Sequence, residues 1–399
     1  MNGINGPYRP TWIEVDLEAI AQNYDILRKR LRPQTKVLVP IKANAYGHGA
    51  LEVARTLEAE GVTFFGVASI DEAVALRRKG VRSPLLILNA ILKEEIPAVF
   101  EHDLTQTVCD EAFTLRLNQE ALRRKKRIPI HLKIDTGMGR LGVWYEEALA
   151  FARFVRGCEH LFMEGLYTHL AHADGSDPSA TRTQISRFKE LVQMLREEEL
   201  LPPLVHLANS AGVLRFSESH FNLVRPGLAL YGIHPFYEKG GRLSPVFKPA
   251  LALKTRIVYL KKTPKGRKIG YGGTYTTKKE TVIATLPIGY ADGYNRLLSN
   301  QGKVLIRGRK LPIAGRICMD QCMVDGGAIP DLQVGEEVVL IGRQGKEEIK
   351  IEEIARLCST IPYEILCGLS SRVPRIYLNG PKSFAPFTSP LNVVEKVDR

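Results

Sequence analysis

The sequence predicts an α/β protein, a TIM-type (β/α)8 barrel followed by a mostly antiparallel β domain. Two observations carry this prediction. Over roughly the first 235 residues, short apolar runs alternate with amphipathic segments, which is the pattern of βα units that build a parallel sheet. Beyond about Gly240, helical spacing becomes scarce, and β-branched runs are separated by Gly, Pro and Asn. We therefore expect two domains, at 1–240 and 241–399.

Eight candidate strands occur in the first part of the chain, which is the number that a TIM-type barrel needs. The gaps between them are mostly helical; in the first helix, Asp16 is a candidate N-cap, and Ile20 and Leu27 share one face. A doubly wound sheet is the alternative architecture for such alternation. The candidate strands are KVLVPI (from Lys36), TFFGVA (from Thr63), PLLIL (from Pro84), LTQTV (from Leu104), IPIHLKID (from Ile128), EGLYTHL (from Glu164), PLVHLAN (from Pro203) and FNLVRPG (from Phe221).

The second part of the chain consists of β-branched runs such as ALALKTRIVYL, TVIATLPIGY and EEVVLIGRQGKEEIKI. Only IEEIARLCS has helical spacing there, which favours a β domain. The strand-like segment near residues 11–16 could pair with this domain.

Composition narrows the class of protein. Apolar residues make up 44% and charged residues 25%, as in soluble globular proteins. No apolar run reaches the roughly 18 residues of a membrane helix, and the N-terminus lacks the apolar core of a signal peptide. We therefore expect a cytoplasmic protein with no membrane partner. The six scattered cysteines argue against a disulfide framework.

The net charge of +13 fits either anionic small ligands or a nucleic-acid partner. The densest basic run, at 123–127, contains no aromatic residue and precedes a strand-like segment. A solvated helix end is the better interpretation of that run, so we expect no nucleic-acid partner.

Lys42 is the first candidate for chemistry. It directly follows the apolar strand KVLVPI, and the carboxyl ends of barrel strands carry the active sites of such folds. Desolvation at such a position lowers the pKa of an amine and favours imine formation with a carbonyl. A structural role for Lys42 is the alternative interpretation.

The last two barrel strands lead into Asn209-Ser210 and into Arg225-Pro226-Gly227. Small residues and backbone N–H groups after strands seven and eight are where barrels commonly bind phosphate. A phosphate pocket beside a strand-end lysine indicates a phosphorylated carbonyl, of which pyridoxal phosphate is the commonest.

These residues lie in long motifs through which the chain resembles alanine racemase, a fold-type III pyridoxal-phosphate enzyme. The resemblance runs through nearly the whole length, and GYGGTY and RICMDQ separate the racemase from related decarboxylase-like barrels. The motifs are PIKANAYGHG (from Pro40), KIDTGMGRLG (from Lys133), GLYTHLAHAD (from Gly165), VHLANSAG (from Val205), VRPGLALYG (from Val224), GYGGTY (from Gly270), PIGYADG (from Pro287), AGRICMDQCMVD (from Ala314) and SRVPR (from Ser371).

The resemblance implies interconversion of L- and D-alanine, supplying D-alanine for cell-wall synthesis. Lys42 would carry pyridoxal phosphate as a Schiff base and act as one base. Tyr271, supplied by the partner subunit of a homodimer, would act as the base on the opposite face. Two such groups are needed because racemisation removes a proton from one face of Cα and returns one to the other.

Further roles are implied for the residues around these two bases. Arg225 would hydrogen-bond the pyridine nitrogen, and His169 and His206 would continue the polar chain behind Arg225 and Tyr271. Lys133, which is carbamylated in some family members, would orient Arg140. The remaining implied residues are Tyr46, Ser210, Gly227 and Leu228 at the phosphate, Asn209 beside them, Arg140 and the partner's Met319 at the substrate carboxylate, and Tyr290 at the entrance.

Two other patterns carry less weight. Gly137, Gly139 and Gly142 fit a dinucleotide fingerprint, but no helix with a later ribose-binding acid follows, so we expect them to shape the loop of Arg140. His169 and His172 would face opposite sides of a strand, and no carboxylate set completes a site. We therefore expect no metal.

Other functions stay open at this point. A broad-specificity or serine racemase would keep the cofactor, and the small Ser371 leaves substrate breadth undecided. A decarboxylase of this fold would be expected to place an acid, rather than Arg225, at the pyridine nitrogen. A non-enzymatic pyridoxal-phosphate-binding protein, from another class, would need neither a second domain nor Tyr271.

Overall fold

The computed structural model describes residues 9–239 and 244–380. Two compact units result from its contacts. The barrel unit comprises Ile20–Ala45 and Gly49–Lys248, and the β unit holds the other described residues, among them 46–48. The expected boundary between residues 240 and 241 lies outside the described residues.

The predicted TIM-type barrel is confirmed. The first strand of the described residues is β1 (Thr11–Asp16), which belongs to the β unit. The strands of the parallel barrel sheet are β2 (Lys36–Pro40), β3 (Phe64–Val67), β4 (Leu85–Ile87), β5 (Thr105–Val108), β6 (Ile128–Asp135) with the short β7 (Val143–Trp144) beside it, β8 (Leu161–Tyr167), β9 (Leu204–His206) and β10 (Leu223–Val224). Their order is β5-β4-β3-β2-β10-β9-β8-β6, and pairing of β5 with β6 closes the sheet, which excludes a doubly wound sheet.

Helices follow the barrel strands and bury one apolar face each. Asp110, for example, caps a helix by accepting the Phe113 N–H at 2.7 Å, and Leu117 and Ala121 of that helix are fully buried. Across residues 9–239 and 244–380, no helix has the length and apolar character to cross a membrane. The helices are Leu17–Arg28, Ala50–Ala59, Ile70–Arg78, Ile96–Glu101, Glu111–Arg123, Ala148–Arg156, Ser179–Glu197 and Ser210–Arg215, with short 3-10 turns at Lys93–Glu95, Ser217–Ser219, Leu228–Tyr231 and Tyr237–Lys239.

The second unit is the mostly antiparallel β domain that the sequence predicts. Besides β1, its strands are β11 (Leu251–Arg256), β12 (Tyr259–Thr263), β13 (Lys268–Ile269), β14 (Tyr275–Thr276), β15 (Thr281–Leu286), β16 (Lys303–Ile306), β17 (Arg309–Pro312), β18 (Cys322–Asp325), β19 (Glu337–Gln344), β20 (Glu347–Ile349) and β21 (Arg375–Leu378), with helices Ile351–Leu357 and Pro362–Cys367. The main sheet has the order β17-β16-β19-β11-β1-β21; β1 pairs antiparallel with β11 and parallel with β21. Buried Ile13 and Val15 of β1 lie opposite Leu253 and Leu251.

A left-handed backbone turn follows β2. Ala43, Asn44, Ala45 and Tyr46 have φ angles of 51, 53, 54 and 52°. For an L residue this region costs about 1–2 kcal/mol, and it is normally occupied by single residues rather than by four in succession. Strain of this kind persists only where the surroundings fix it, and it is common at functional sites.

Hydrogen bonds hold this turn in place. The Ala45 N–H donates to the Ile41 carbonyl at 2.8 Å, and the Ala43 N–H donates to Glu72 Oε1 at 2.7 Å. Glu72 Oε2 accepts the Ala68 N–H at 2.7 Å. One carboxylate therefore ties the turn after β2 to the loop after β3, so the backbone that presents Lys42 is fixed from a neighbouring strand.

The first prediction concerns this strain. Ala43 is exposed, so Ala43→Gly removes little packing while it relieves about 1–2 kcal/mol of left-handed strain, against about 0.5–1 kcal/mol of added backbone entropy in the unfolded chain. We expect a small rise in melting temperature, measured by differential scanning fluorimetry. Ala75→Gly, at an exposed position inside the helix Ile70–Arg78, should instead cost about 1 kcal/mol. A melting temperature that falls equally in both variants would contradict a strained turn.

Candidate functional site

The residues that the sequence singles out in the barrel unit follow its strands at their carboxyl ends. Lys42 directly follows Ile41 at the end of β2 and is half-buried. His169 follows β8, Ser210 follows β9 and Arg225 follows β10. This is the end of a (β/α)8 barrel at which active sites form.

Arg225 is the centre of a buried hydrogen-bond network. Its Nη1 donates to His206 Nδ1 at 2.7 Å. Its Nη2 donates to the Thr168 carbonyl at 2.7 Å and lies 3.3 Å from His169 Nδ1. Burial lowers the pKa of Arg225 to about 10, which leaves the guanidinium protonated at neutral pH. Arg225 is therefore a fixed cation that donates to two imidazoles.

His169 and His206 are held neutral. Burial lowers the pKa of each ring well below its ordinary value, and the charge of Arg225 lowers both further. Arg140, Lys42 and any charge on Lys133 also lower the pKa of His169. Neutral imidazoles with Nδ1 facing Arg225 accept there and keep the proton on Nε2.

Lys133 lies inside the barrel beside Tyr167 of β8, its register partner. Lys133 Nζ is 4.6 Å from the centroid of the Tyr167 ring, and Arg225 Cζ is 5.1 Å from it. Burial lowers the pKa of Lys133 well below its ordinary value, and the charges of Arg225 and Arg140 add to this effect. A lowered pKa increases the neutral, nucleophilic fraction of this buried amine.

Arg140 is exposed on the loop after β6. Asp135 shapes this loop: its Oδ1 accepts the N–H groups of Gly137 and Met138 at 2.8 Å, and its Oδ2 accepts that of Arg140 at 3.2 Å. A Cβ at position 142, where φ is 127°, would lie 2.7 Å from the Asp135 nitrogen. The glycine pattern of this segment therefore serves a tight loop.

Backbone donors after β10 converge on Ser210. The Ser210 hydroxyl accepts the Gly227 N–H at 2.9 Å and the Ala229 N–H at 3.2 Å, with Leu228 buried between them. Asn209 caps the helix that begins at Ser210 by accepting the Gly212 N–H at 2.9 Å. These contacts gather small residues and N–H groups in the way that phosphate sites on barrels do.

The β unit carries the other predicted residues, and three of them are largely exposed. The exposed fractions of Tyr271, Met319 and Tyr290 are 71%, 53% and 43%. Backbone hydrogen bonds from Tyr290 to Cys318 and from Ala291 to Met319, both 3.0 Å, join the two loops that bear Tyr290 and Met319. Tyr46 belongs to the same unit; it is buried, and its ring lies 5.8 Å from that of Tyr363.

Sequence reasoning missed His131 and Glu164. His131 lies on β6 two positions before Lys133, so the two side chains share one face of the strand. His131 Nδ1 is 2.8 Å from His206 Nε2, and His131 Nε2 is 3.2 Å from Glu164 Oε2. The alternation of side chains along the strand IPIHLKID could have found His131, because a polar residue on the buried face of a strand requires a partner.

Among the described residues, no three His, Cys, Asp or Glu side chains are grouped so that they could hold a metal ion. The pair His169 and His172 thus has no third ligand in that part of the chain.

Two family models match the sequence. Residues 15–235 match the alanine racemase N-terminal domain, and residues 250–377 match the alanine racemase C-terminal domain. The chain is 46% identical over 370 residues to the alanine racemase of Carboxydothermus hydrogenoformans, which covers 93% of this chain and 100% of that protein.

Solved structures of alanine racemases are similar in fold to this chain. Alanine racemase from Bacillus anthracis with bound L-Ala-P has a TM-score of 0.88 at 39% identity, over 94% of this chain and 97% of that one. Alanine racemase from Bartonella henselae with covalently bound pyridoxal phosphate has a TM-score of 0.82 at 31% identity, over 92% and 99% of the two chains. On this fold, this site and these likenesses, the chain belongs to the alanine racemase family and is an isomerase.

Proposed function

We propose that this protein is a homodimeric, pyridoxal-phosphate-dependent enzyme that interconverts L- and D-alanine with two bases, Lys42 of one subunit and Tyr271 of the partner subunit. The observation that carries the proposal is the set of residues at the carboxyl ends of the barrel strands, in which Lys42 follows β2 and Arg225, after β10, lies 3.3 Å from His169 Nδ1.

The chemistry of this set fits pyridoxal phosphate. Lys42 supplies the amine that the cofactor's aldehyde requires. Ser210 and the backbone N–H groups near Gly227 and Leu228, with Asn209 and Tyr46, suit a phosphate. Arg225 only donates, so it suits an unprotonated pyridine nitrogen. When bound, the cofactor supplies an electron sink that makes the Cα proton of an amino acid removable.

Lys42 and Tyr271 would then handle the proton on opposite faces of Cα. A neutral amine takes or returns a proton on one face. On the other face, a phenol acts as a base only if a donor stabilises its phenolate. His169 would be this donor, because its Nδ1 faces Arg225 at 3.3 Å and its proton therefore stays on Nε2. His206 would hold Arg225 in position from behind.

The exposure of Tyr271 supports a shared site. A phenol that is 71% exposed has little packing to fix its position or to exclude water. Covering by a second subunit would supply both, and Met319 and Tyr290 on the same unit are similarly uncovered. Met319 of the partner subunit and Arg140 would bind the substrate carboxylate, and Tyr290 of the partner subunit would narrow the entrance.

The same residues weigh against the other functions. A fixed cation at Arg225 does not provide the acid expected at the pyridine nitrogen of a decarboxylase, and an opposed Tyr271 has no purpose in a protein that only stores the cofactor. A broad-specificity or serine racemase would share every one of these residues, so substrate assays separate it. We propose a cytoplasmic location and a role in supplying D-alanine for cell-wall synthesis.

The second prediction tests the two bases. Circular dichroism of L-alanine should show racemisation by the wild type, no racemisation by Lys42→Ala, and a loss of at least about 100-fold for Tyr271→Phe, the scale of general acid–base catalysis. Tyr259→Phe, which removes the hydroxyl of another exposed tyrosine of the β unit, is the matched control and should keep full activity. If Lys42→Ala or Tyr271→Phe racemises as fast as the control, the assigned bases are wrong.

The third prediction tests sharing between subunits. Lys42→Ala and Tyr271→Phe chains are unfolded together in equal amounts and refolded. A mixed dimer would contain one site with both native bases, so roughly a quarter of the wild-type activity should return, from half of the dimers with one working site each. If each site takes both bases from one chain, the mixture stays as inactive as its components.

The fourth prediction concerns Lys133. Carbamylation needs a neutral amine, and burial lowers the pKa of Lys133. A carbamate there would supply a negative charge for the neighbouring Arg140. In ¹³C-bicarbonate, the wild type should show one carbamate carbon signal by NMR that Lys133→Met lacks. A spectrum without that signal, in carbonate-saturated buffer, would rule the modification out.

A further inference from the structure

Glu164 lies at the end of a continuous hydrogen-bond chain that begins at Arg225. Arg225 Nη1 is 2.7 Å from His206 Nδ1, His206 Nε2 is 2.8 Å from His131 Nδ1, and His131 Nε2 is 3.2 Å from Glu164 Oε2. His131 and His206 are fully buried, and the Glu164 side chain is 25% exposed. The chain thus connects the guanidinium to a carboxylate through two imidazole rings.

The ends of this chain fix its direction. Arginine can only donate, so His206 Nδ1 accepts and His206 Nε2 carries the proton. His206 Nε2 then donates to His131 Nδ1, which leaves the His131 proton on Nε2. A carboxylate can only accept, so His131 Nε2–H donates to Glu164. Both ends therefore require the same tautomer of each ring, with neither ring charged.

The rings are held by their surroundings. A Cβ on Gly165 would lie 2.4 Å from His131 Nδ1, so only glycine leaves room for this ring. Phe64 packs edge-on against His131 at 5.6 Å, and Tyr167 stacks on His206 at 4.7 Å with an interplanar angle of 7°. Neither ring can turn without breaking these contacts, so the chain is a rigid path.

This hydrogen-bond path links the buried charge of Arg225 to an anion. Within the described residues, the Arg225 side chain donates to the imidazoles of His206 and His169 and to the main-chain carbonyls of Thr168 and Leu207. All four of these acceptors are neutral. A buried cation without an anion is costly, and aligned hydrogen bonds in a low-dielectric interior polarise one another. Glu164 is the anionic end of the alignment that starts at Arg225.

Glu164 is open to solvent on the far side of the barrel. It lines a cavity of about 520 Å³ with Leu104, Ile128 and Pro129, which lie at the amino ends of β5 and β6. Lys42 is at the carboxyl end of β2, on the opposite side of the parallel barrel. Water can therefore reach the anionic end of the path without entering the end where Lys42 lies.

We propose that Glu164 is a positioning residue that acts through His131 and His206 on Arg225, as its remote counter-charge and as the acceptor that polarises the hydrogen bonds of both rings. In this role it keeps Arg225 aligned to donate to the ring nitrogen of a bound pyridine. That last step rests on the proposed function; the polarised hydrogen bonds do not.

The first arm of the test examines the tautomers in the full-length protein, with and without pyridoxal phosphate. Nitrogen chemical shifts of ¹⁵N-histidine-labelled protein should report Nε2–H tautomers for both rings, with assignments from His131→Gln and His206→Gln. Glu164→Leu removes the acceptor of His131 Nε2–H but leaves Arg225 donating to His206, so both rings should keep their tautomers. The loss of polarisation should instead move the Nε2–H proton resonance of both rings upfield, including that of His206, which Glu164 does not touch. Glu101→Gln removes a carboxylate lining the same cavity and should change neither ring. Nδ1–H tautomers in the wild type, or a His206 resonance that is unchanged in Glu164→Leu, would overturn the proposal.

The second arm measures the affinity for pyridoxal phosphate by equilibrium titration, with a melting curve for each variant as a folding control. We expect a dissociation constant raised about tenfold in Glu164→Leu and about threefold in Glu164→Gln, which keeps an acceptor but loses the charge, with Glu101→Gln equal to the wild type. Equal affinities in wild type and both Glu164 variants would overturn the action on Arg225. If the wild type itself fails to bind pyridoxal phosphate, the proposed function fails and so does that action, and the tautomer arm alone decides the role of Glu164 within the protein.

Discussion

The charge of Arg225, buried inside the barrel, is the constraint on which the arrangement of this site depends. Taking a guanidinium out of water costs several kcal/mol unless its donors are satisfied. Arg225 meets this need with the carbonyl of Thr168 and with two imidazoles, and its charge in turn helps to keep both imidazoles neutral. A single cation thereby sets the tautomers of His169 and His206. Hydrogen bonds from His206 through His131 to Glu164 continue this arrangement across the barrel.

The left-handed turn after β2 is the second constraint, and it acts on position rather than on charge. Four successive non-glycine residues hold positive φ angles directly after Lys42. Few other backbone conformations are accessible from such a turn, and hydrogen bonds to Glu72 hold it against the adjacent loop. An amine that must meet a carbonyl at a defined distance benefits from a backbone that cannot relax. The stability lost to strain at this turn is consistent with a functional rather than a structural origin.

The barrel unit and the β unit carry different kinds of candidate site residue. The buried cation Arg225 and the neutral rings beside it lie in the barrel unit, where the low dielectric strengthens each interaction. The β unit offers Tyr271, Met319 and Tyr290 on largely exposed surface, joined in part by backbone hydrogen bonds between their loops. Exposed groups of this kind become precise only when another surface covers them. This contrast between buried and exposed residues supports the proposed homodimer. The chain belongs to the alanine racemase family.

Local patterns in the sequence predict the eight barrel strands, the change to a β domain and the strand-end position of Lys42. These features depend on local periodicity and on residues that are neighbours along the chain, which a single sequence displays directly. The motifs also imply that Arg225 and His206 belong to one site. The hydrogen bonds that His131 and Glu164 complete exist only in the folded chain. His131 is 75 residues from His206 and 33 from Glu164, and barrel closure alone brings such distant positions within hydrogen-bond reach. The left-handed turn was equally beyond local reasoning, because alanine has no intrinsic preference for positive φ, and contacts with Glu72 from another part of the chain hold it there.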